Sequence, residues 1–224
     1  MRTIYFNSSV AERCGKNGII KAVLLNYVYN YHKRNIRKGA GTPACIQLSE
    51  FVYQYKVDEK GLWERSFIHR NLKKLTDERF LIKTTEDKVP TYSVSSEIVQ
   101  LLTDKTCKIV SFDLEMAYVS GIHVAIMHRF LLHAIDQSPH STLYNLQIDK
   151  VAEVNRLSKS QIYRAISFLE DTKVISRCKT RVKFHGRTLG MTRYKPEFDK
   201  SLQTPVKRCQ NDLEFSIVDG PIVI

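Results

Sequence analysis

The chain has 224 residues, of which 43% are hydrophobic, with a formal net charge of +12 and a pI of about 9.5. That length holds one large domain or two small ones with real cores, and the positive excess points to polyanions, nucleic acid before anionic membrane. No apolar run approaches the length of a bilayer span, and Met1–Tyr5 lacks the apolar core of a signal peptide, so a membrane partner is not expected.

Two stretches carry the same landmarks. The first has Phe6, Ala11, Gly18-Ile19, Ala22 and Leu25, then Leu48, then Ser66, Ile68, Arg70, Leu72, Leu75, Asp77, Phe80-Leu81 and Tyr92. The second has Phe112, Ala117, Gly121-Ile122, Ala125 and His128, then Ile148, then Ser160, Ile162, Arg164, Ile166, Leu169, Asp171, Val174-Ile175 and Tyr194. The spacing between copies drifts from 106 residues at Phe6 and Phe112 to 94 at Ser66 and Ser160. The drift falls where loops are expected. Two copies are too few for a solenoid, which needs at least three stacked units, so tandem domains are expected.

In chain order, Ile19 to Lys33 has Ile20, Val23, Leu24, Tyr27, Val28 and Tyr31 at helical spacing and predicts a first helix. Leu48–Val52 begins a short second helix, with Ser49 a plausible cap. A loop around Asp58–Gly61 follows. Ser66 to Asp77 is a third helix with Ile68, Leu72 and Leu75 inward. Phe80–Lys83 and Thr91–Val94 form a hairpin around Glu86-Asp87-Lys88. Between the copies, Ser95 to Lys108 reads as a connector with a short helix packed on the first module. The second copy repeats the order: Ile122–Ile135, a helix containing Asp149–Glu153, then a third helix capped by Ser158 and running to Glu170. The core face of that third helix is Ile162, Ala165, Ile166 and Leu169. A longer hairpin starts at Val174–Ser176, turns near His185-Gly186 and returns through Met191–Tyr194. The expected fold class is mainly α with small β-hairpins (α+β). Its divisions are an N-terminal domain 1–94, a connector 95–111, a C-terminal domain 112–199 and a tail 200–224.

Three helices followed by a β-hairpin is the winged helix-turn-helix order. The third helix of each copy carries Ser-x-Ile-x-Arg ahead of an apolar strand. Over residues 3 to 199 the chain resembles bacterial winged-helix DNA-binding domains and, paired in a chain of this size, the replication initiators of plasmids and phages. The resemblance implies two tandem winged-helix domains, binding to origin repeats and recruitment of host replication proteins.

In such modules the third helix enters the major groove. The outward candidates are Arg65, Ser66, His69, Arg70, Lys73 and Lys74 in the first copy, where Glu64 and Glu78 dilute the charge. In the second they are Ser158, Lys159, Ser160, Gln161, Tyr163 and Arg164. Arg matches guanine acceptors and Gln matches adenine, while Ser and Lys suit phosphates. The second hairpin adds Arg177, Lys179, Arg181, Lys183, Arg187, Arg193 and Lys195, with His185 at its tip. Alternation places Lys179, Arg181 and Lys183 on one strand face. The alternative for that face is a charge-protected edge strand. The two halves carry about +6 each, but the second concentrates its charge in one hairpin. The expected footprint is therefore asymmetric, with the C-terminal copy holding most of the affinity.

Cys14, Cys45, Cys107, Cys178 and Cys209 form no C-x-x-C pair, so free thiols in a reducing cytosol are expected. His123, His128 and His133 step by five around a helix and do not suggest a metal site. Tyr27, Tyr29 and Tyr31 spread over several helix faces, and Tyr53 and Tyr55 receive no role. No P-loop, dinucleotide fingerprint or nucleophile elbow occurs. The expectation is a cytoplasmic, non-enzymatic, sequence-specific binder of double-stranded DNA without cofactor or metal. A transcriptional regulator on the same scaffold and a winged-helix protein-interaction module are the alternatives. The apolar ends of the tail, Phe215–Val218 and Pro221–Ile224, allow a homodimer through a tail strand.

Overall fold

The computed structural model describes residues 2–37, 51, 55–57, 60–86, 89–137, 143–184 and 187–197. The described elements are helices and small two-stranded antiparallel sheets, a mixed α+β fold. The chain divides into two compact units: residues Met1–Ile122 with Val154–Arg156, and His123–Glu153 with the chain from Leu157 on.

The first unit is organised by a strand pair absent from the sequence-based expectations. Strand β1 (Thr3–Asn7) pairs antiparallel with β6 (Ile109–Asp113). Ile4 lies opposite Phe112 and Phe6 opposite Val110. These positions exchange when one copy of the repeat is laid on the other, so the register maps onto itself. Matching backbone bonds extend the ladder at both ends, Ser8 N to Lys108 O and Leu114 N to Arg2 O, each 2.9 Å. All four apolar side chains are buried, and the Phe6 and Phe112 rings sit 6.3 Å apart. A two-stranded ribbon is marginal alone; these buried cross-strand neighbours on one face hold it.

Each strand runs directly into a short helix. Asn7 caps α1 (Ser8–Arg13), its Oδ1 accepting from Ser9 N and Val10 N. Its Nδ2 also donates to Leu101 O at 2.8 Å. Asp113 caps the equivalent helix Leu114–Ser120, accepting from Met116 N at 2.9 Å. Its second oxygen is buried without a partner. The next helix, α2 (Gly18–Arg37), extends beyond the expected Ile19–Lys33 at its C-terminal end. A β-carbon on Gly18 would stand 2.0 Å from the Ala11 carbonyl oxygen, so only glycine lets α2 start against α1. The equivalent Gly121 answers a different need, a left-handed φ of 92° between two helices.

The expected second helix at Leu48–Val52 lies outside the described residues except for Phe51, which is helical and buried. The expected loop at Asp58–Gly61 instead includes a tiny ladder, β2 (Lys56–Val57) with β3 (Lys60–Gly61). Phe51, Tyr55, Trp63 and Tyr27 then form a ring cluster, with Phe51 and Tyr55 centroids 4.6 Å apart. Burial pushes the Tyr55 hydroxyl pKa up. Helix α3 (Arg65–Asp77) follows, with Ile68, Leu72 and Leu75 buried as the spacing predicts. The hairpin β4 (Leu81–Glu86) and β5 (Val89–Val94) completes the copy. The connector is a helix, α4 (Ser96–Thr103) with Ile98 buried, followed by β6 itself. Much of the expected connector is thus built into the first unit.

The remaining helices are α5 (Leu114–Ser120), α6 (Ile122–Gln137), α7 (Ile148–Asn155) and α8 (Lys159–Asp171). The long hairpin β7 (Ile175–Phe184) with β8 (Arg187–Pro196) follows. Ile162, Ala165, Ile166 and Leu169 are fully buried. Tyr144 and Tyr194 exchange backbone bonds of 2.8 Å, tying the segment before α7 to β8. The tail expected at 200–224 lies outside the described residues.

Burial raises the Asp113 pKa above the ordinary carboxylate value. The folded state therefore holds this proton more tightly than the unfolded chain. Stability falls as pH rises from about 4 through the raised value. Asp113→Asn keeps the capping oxygen and removes the charge, as Asn7 does in the first copy. Urea midpoints measured between about pH 4 and 7 are expected to show the variant gaining on the parent as pH rises. A parallel pair of curves would contradict this.

Candidate nucleic-acid interface

Two helices, α3 and α8, present the candidate side chains, and each leads into a hairpin. On α3, Arg65, Ser66, His69, Arg70, Lys73 and Lys74 are all exposed, as their spacing requires of positions opposite Ile68, Leu72 and Leu75. Arg70 lies over the Phe67 ring at 5.9 Å. Among the described residues none of these cations forms an ion pair with a carboxylate. Glu64 is the N-cap residue and accepts from Ser66 Oγ at 3.4 Å.

Glu78, expected to dilute this face, is held elsewhere. Both its oxygens accept from Lys21 Nζ at 2.8 Å, and Lys21 also donates to Cys14 O at 3.1 Å. The Lys21 side chain is only 3% exposed. Burial also pushes the neighbouring Cys14 thiol up to about 12, so it stays protonated. The second copy places Val124 and Thr172 at the corresponding positions, with Val124 buried. The charge pair is therefore a device of the first copy alone.

On α8, structure changes the roles of several candidates. Ser158 and Gln161 form a reciprocal capping box: Ser158 Oγ accepts from Gln161 N at 3.2 Å and Gln161 Oε1 accepts from Ser158 N at 2.8 Å. The Gln161 oxygen is engaged by the helix end instead of standing ready for adenine. Lys159 pairs with Asp149 on α7 at 2.5 Å, which raises its pKa. Ser160, Tyr163 and Arg164 remain on the exposed face, where an open groove also includes Ser167, Phe168 and Asp171. Tyr163 is 54% exposed. His123, half-buried, has its pKa lowered by burial and then by Arg164.

In the second hairpin, Arg177, Lys179 and Arg181 are exposed on one face, while Cys178 and Thr180 between them are half-buried. Arg177 makes a two-pronged pair with Glu170, at 2.8 and 2.7 Å, which raises its pKa. That pair ties the hairpin root to α8. Arg193 departs from the expected cluster. It lies opposite Cys178 in the ladder, on the other face, and its Nε is buried without a partner. Lys195 shares that other face and pairs with Glu197 at 3.3 Å. Lys183 pairs with Thr188 and Arg187 with Phe184 in the backbone register. His185 lies outside the described residues.

Both helices and the hairpin lie where their spacing places them, but the carboxylates that hold Lys159 and Arg177 are not those weighed in the sequence, Glu64 and Glu78. Asp149 and Glu170 lie ten and seven residues from their partners, across a turn, where no helical periodicity links them. A carboxylate near the candidate helix can be read along the chain; which cation it meets cannot.

The Lys21–Glu78 pair gives a direct stability test. Glu78→Ala strands a buried ammonium and is expected to cost about 2–3 kcal/mol, below the usual range for buried pairs because Glu78 is half-exposed. Lys21→Val combined with Glu78→Thr, copying the second module, should return stability to within about 1 kcal/mol of the parent in urea unfolding. Comparison with protein-family models and with curated proteins yields no match for this chain.

Proposed function

We propose that this protein binds double-stranded DNA through two winged-helix modules, and that it acts as a replication initiator of the plasmid or phage type. The observation that carries the reading is the α3 face. Five exposed basic or imidazole side chains, Arg65, His69, Arg70, Lys73 and Lys74, share one side of a helix whose other side is core. Such a face meets phosphates and guanine edges when the helix enters the major groove. The helix-to-hairpin order of both copies supports the winged-helix reading. Lys179 and Arg181, exposed on β7, suit phosphates beside the groove.

The division of labour differs from the one charge counting suggests. Lys159 and Arg177 of the second copy are each held by a carboxylate, and Ser158 and Gln161 by the helix cap. The α3 cations have no such competitor among the described residues. The first module therefore takes a full share of the binding, with Lys179 and Arg181 the main contribution of the second hairpin. Arg164 and Tyr163 are the α8 side chains left for base edges. The initiator role rests on the resemblance of the paired modules to plasmid and phage initiators. Binding sites arrayed as repeats at an origin would distinguish that role from regulation at a promoter.

Salt titrations separate these contributions. Lys73→Ala with Lys74→Ala is expected to weaken duplex binding at least about tenfold and reduce the salt slope by about two. Arg177→Ala should change affinity less than about threefold. Trp63, the chain's one tryptophan, lies just before α3 and gives a fluorescence readout. An unaltered slope in the double variant would sink the reading of α3.

A further inference from the structure

The joint between helix and hairpin is duplicated bond for bond. In the first copy Glu78 N donates to Lys74 O at 2.8 Å, Arg79 N to Thr76 O at 3.0 Å and Phe80 N to Leu75 O at 2.9 Å. In the second, Thr172 N donates to Phe168 O at 3.0 Å, Lys173 N to Glu170 O at 2.9 Å and Val174 N to Leu169 O at 2.8 Å. The far strand closes on each joint identically, Ser95 N to Phe80 O at 3.0 Å and Glu197 N to Val174 O at 2.9 Å. At the centre of each joint the backbone is left-handed, with φ of 58° at both Arg79 and Lys173. This is the position just past a helix end where glycine fits best. Both copies place an exposed cation there instead.

We infer that Arg79 and Lys173 are phosphate-binding residues, one per module, gripping the DNA backbone where it passes from recognition helix to hairpin. The inference rests on the DNA-binding reading above and adds two residues to it. Two observations and one electrostatic argument converge. First, left-handed backbone is unfavourable for a side chain with a β-carbon, and a strained position held in the same way at two sites favours a use for the side chain. Second, neither residue forms an ion pair among the described residues, although Glu78 and Glu170 lie close by in the chain; those carboxylates hold Lys21 and Arg177. Third, the carbonyl end of a helix carries partial negative charge, which repels a phosphate. A cation two residues beyond the last helical residue offsets that repulsion at the spot where helix and hairpin meet.

Stabilisation of the helix dipole is the competing explanation, and glycine separates the two. Arg79→Gly and Lys173→Gly remove strain and charge together. Binding of the full chain to a labelled mixed-sequence duplex is followed by anisotropy across a salt series, alongside thermal melting. Each variant is expected to raise Tm by about 2–4 °C. Each should also lose about three- to tenfold in affinity, with the salt slope reduced by about one. Arg79→Lys should keep both affinity and slope. Lys105→Ala, an exposed cation in the loop before β6, controls for net charge. Glycine variants that bind like Lys105→Ala would overturn the inference, and Lys73→Ala with Lys74→Ala would then still weaken binding if the α3 reading holds. A parent chain that fails to bind the duplex would remove the reading and this inference together.

Discussion

The β1–β6 ladder is the constraint from which the first unit is built. It joins the strand that opens the first copy to the strand that opens the second. Burial of Ile4, Phe6, Val110 and Phe112 on one side makes a ribbon of two short strands stable. Register is fixed because a slip of either strand by one residue would turn its two apolar side chains away from the core. The ladder then delivers both caps, Asn7 and Asp113, to the starts of their helices. Through Gly18 it sets the line of α2, and α2 carries Lys21 to Glu78 at the end of α3. A hydrophobic strand pair thus reaches the candidate interface through one glycine contact and the ion pair of a buried lysine.

Ion pairs have a second consequence, larger than their stability. Exposed pairs such as Lys159–Asp149 and Arg177–Glu170 contribute little to folding. They nevertheless decide which cations are available to a polyanion. An arginine with both prongs on a carboxylate must exchange that partner for a phosphate, so its net gain is small. By this criterion the first module, diluted on paper, has the more available helix face. The second keeps its accessible charge at Lys179 and Arg181 on β7.

Local pattern was legible wherever one element decided it. The core faces of α3 and α8, the Ser158 cap, the β4–β5 strand pair and the long β7–β8 hairpin all follow from spacing within a few residues. Phe6, Ala11, Phe112 and Ala117 stand out along the chain as repeated landmarks but not as parts of a strand and a short helix. Five-residue strands and helices of six or seven residues are too short to show a period, and β1 finds its partner about a hundred residues away. The face of Arg193 is not legible along the chain, because a hairpin's two strands share faces only through their register, which places Arg193 with Cys178 and not with Lys179.

The sequence by itself determined that this protein is a duplicated, basic α+β chain with helices followed by hairpins. Apolar periodicity and capping act within one element, so they can be read along the chain. Tertiary structure alone decided that the opening strands of the two copies pair, that Glu78 turns to a buried lysine, and which of the described cations stay unpaired. Those outcomes depend on contacts between residues distant in sequence, where burial raises the cost of an unpaired charge and selects its partner.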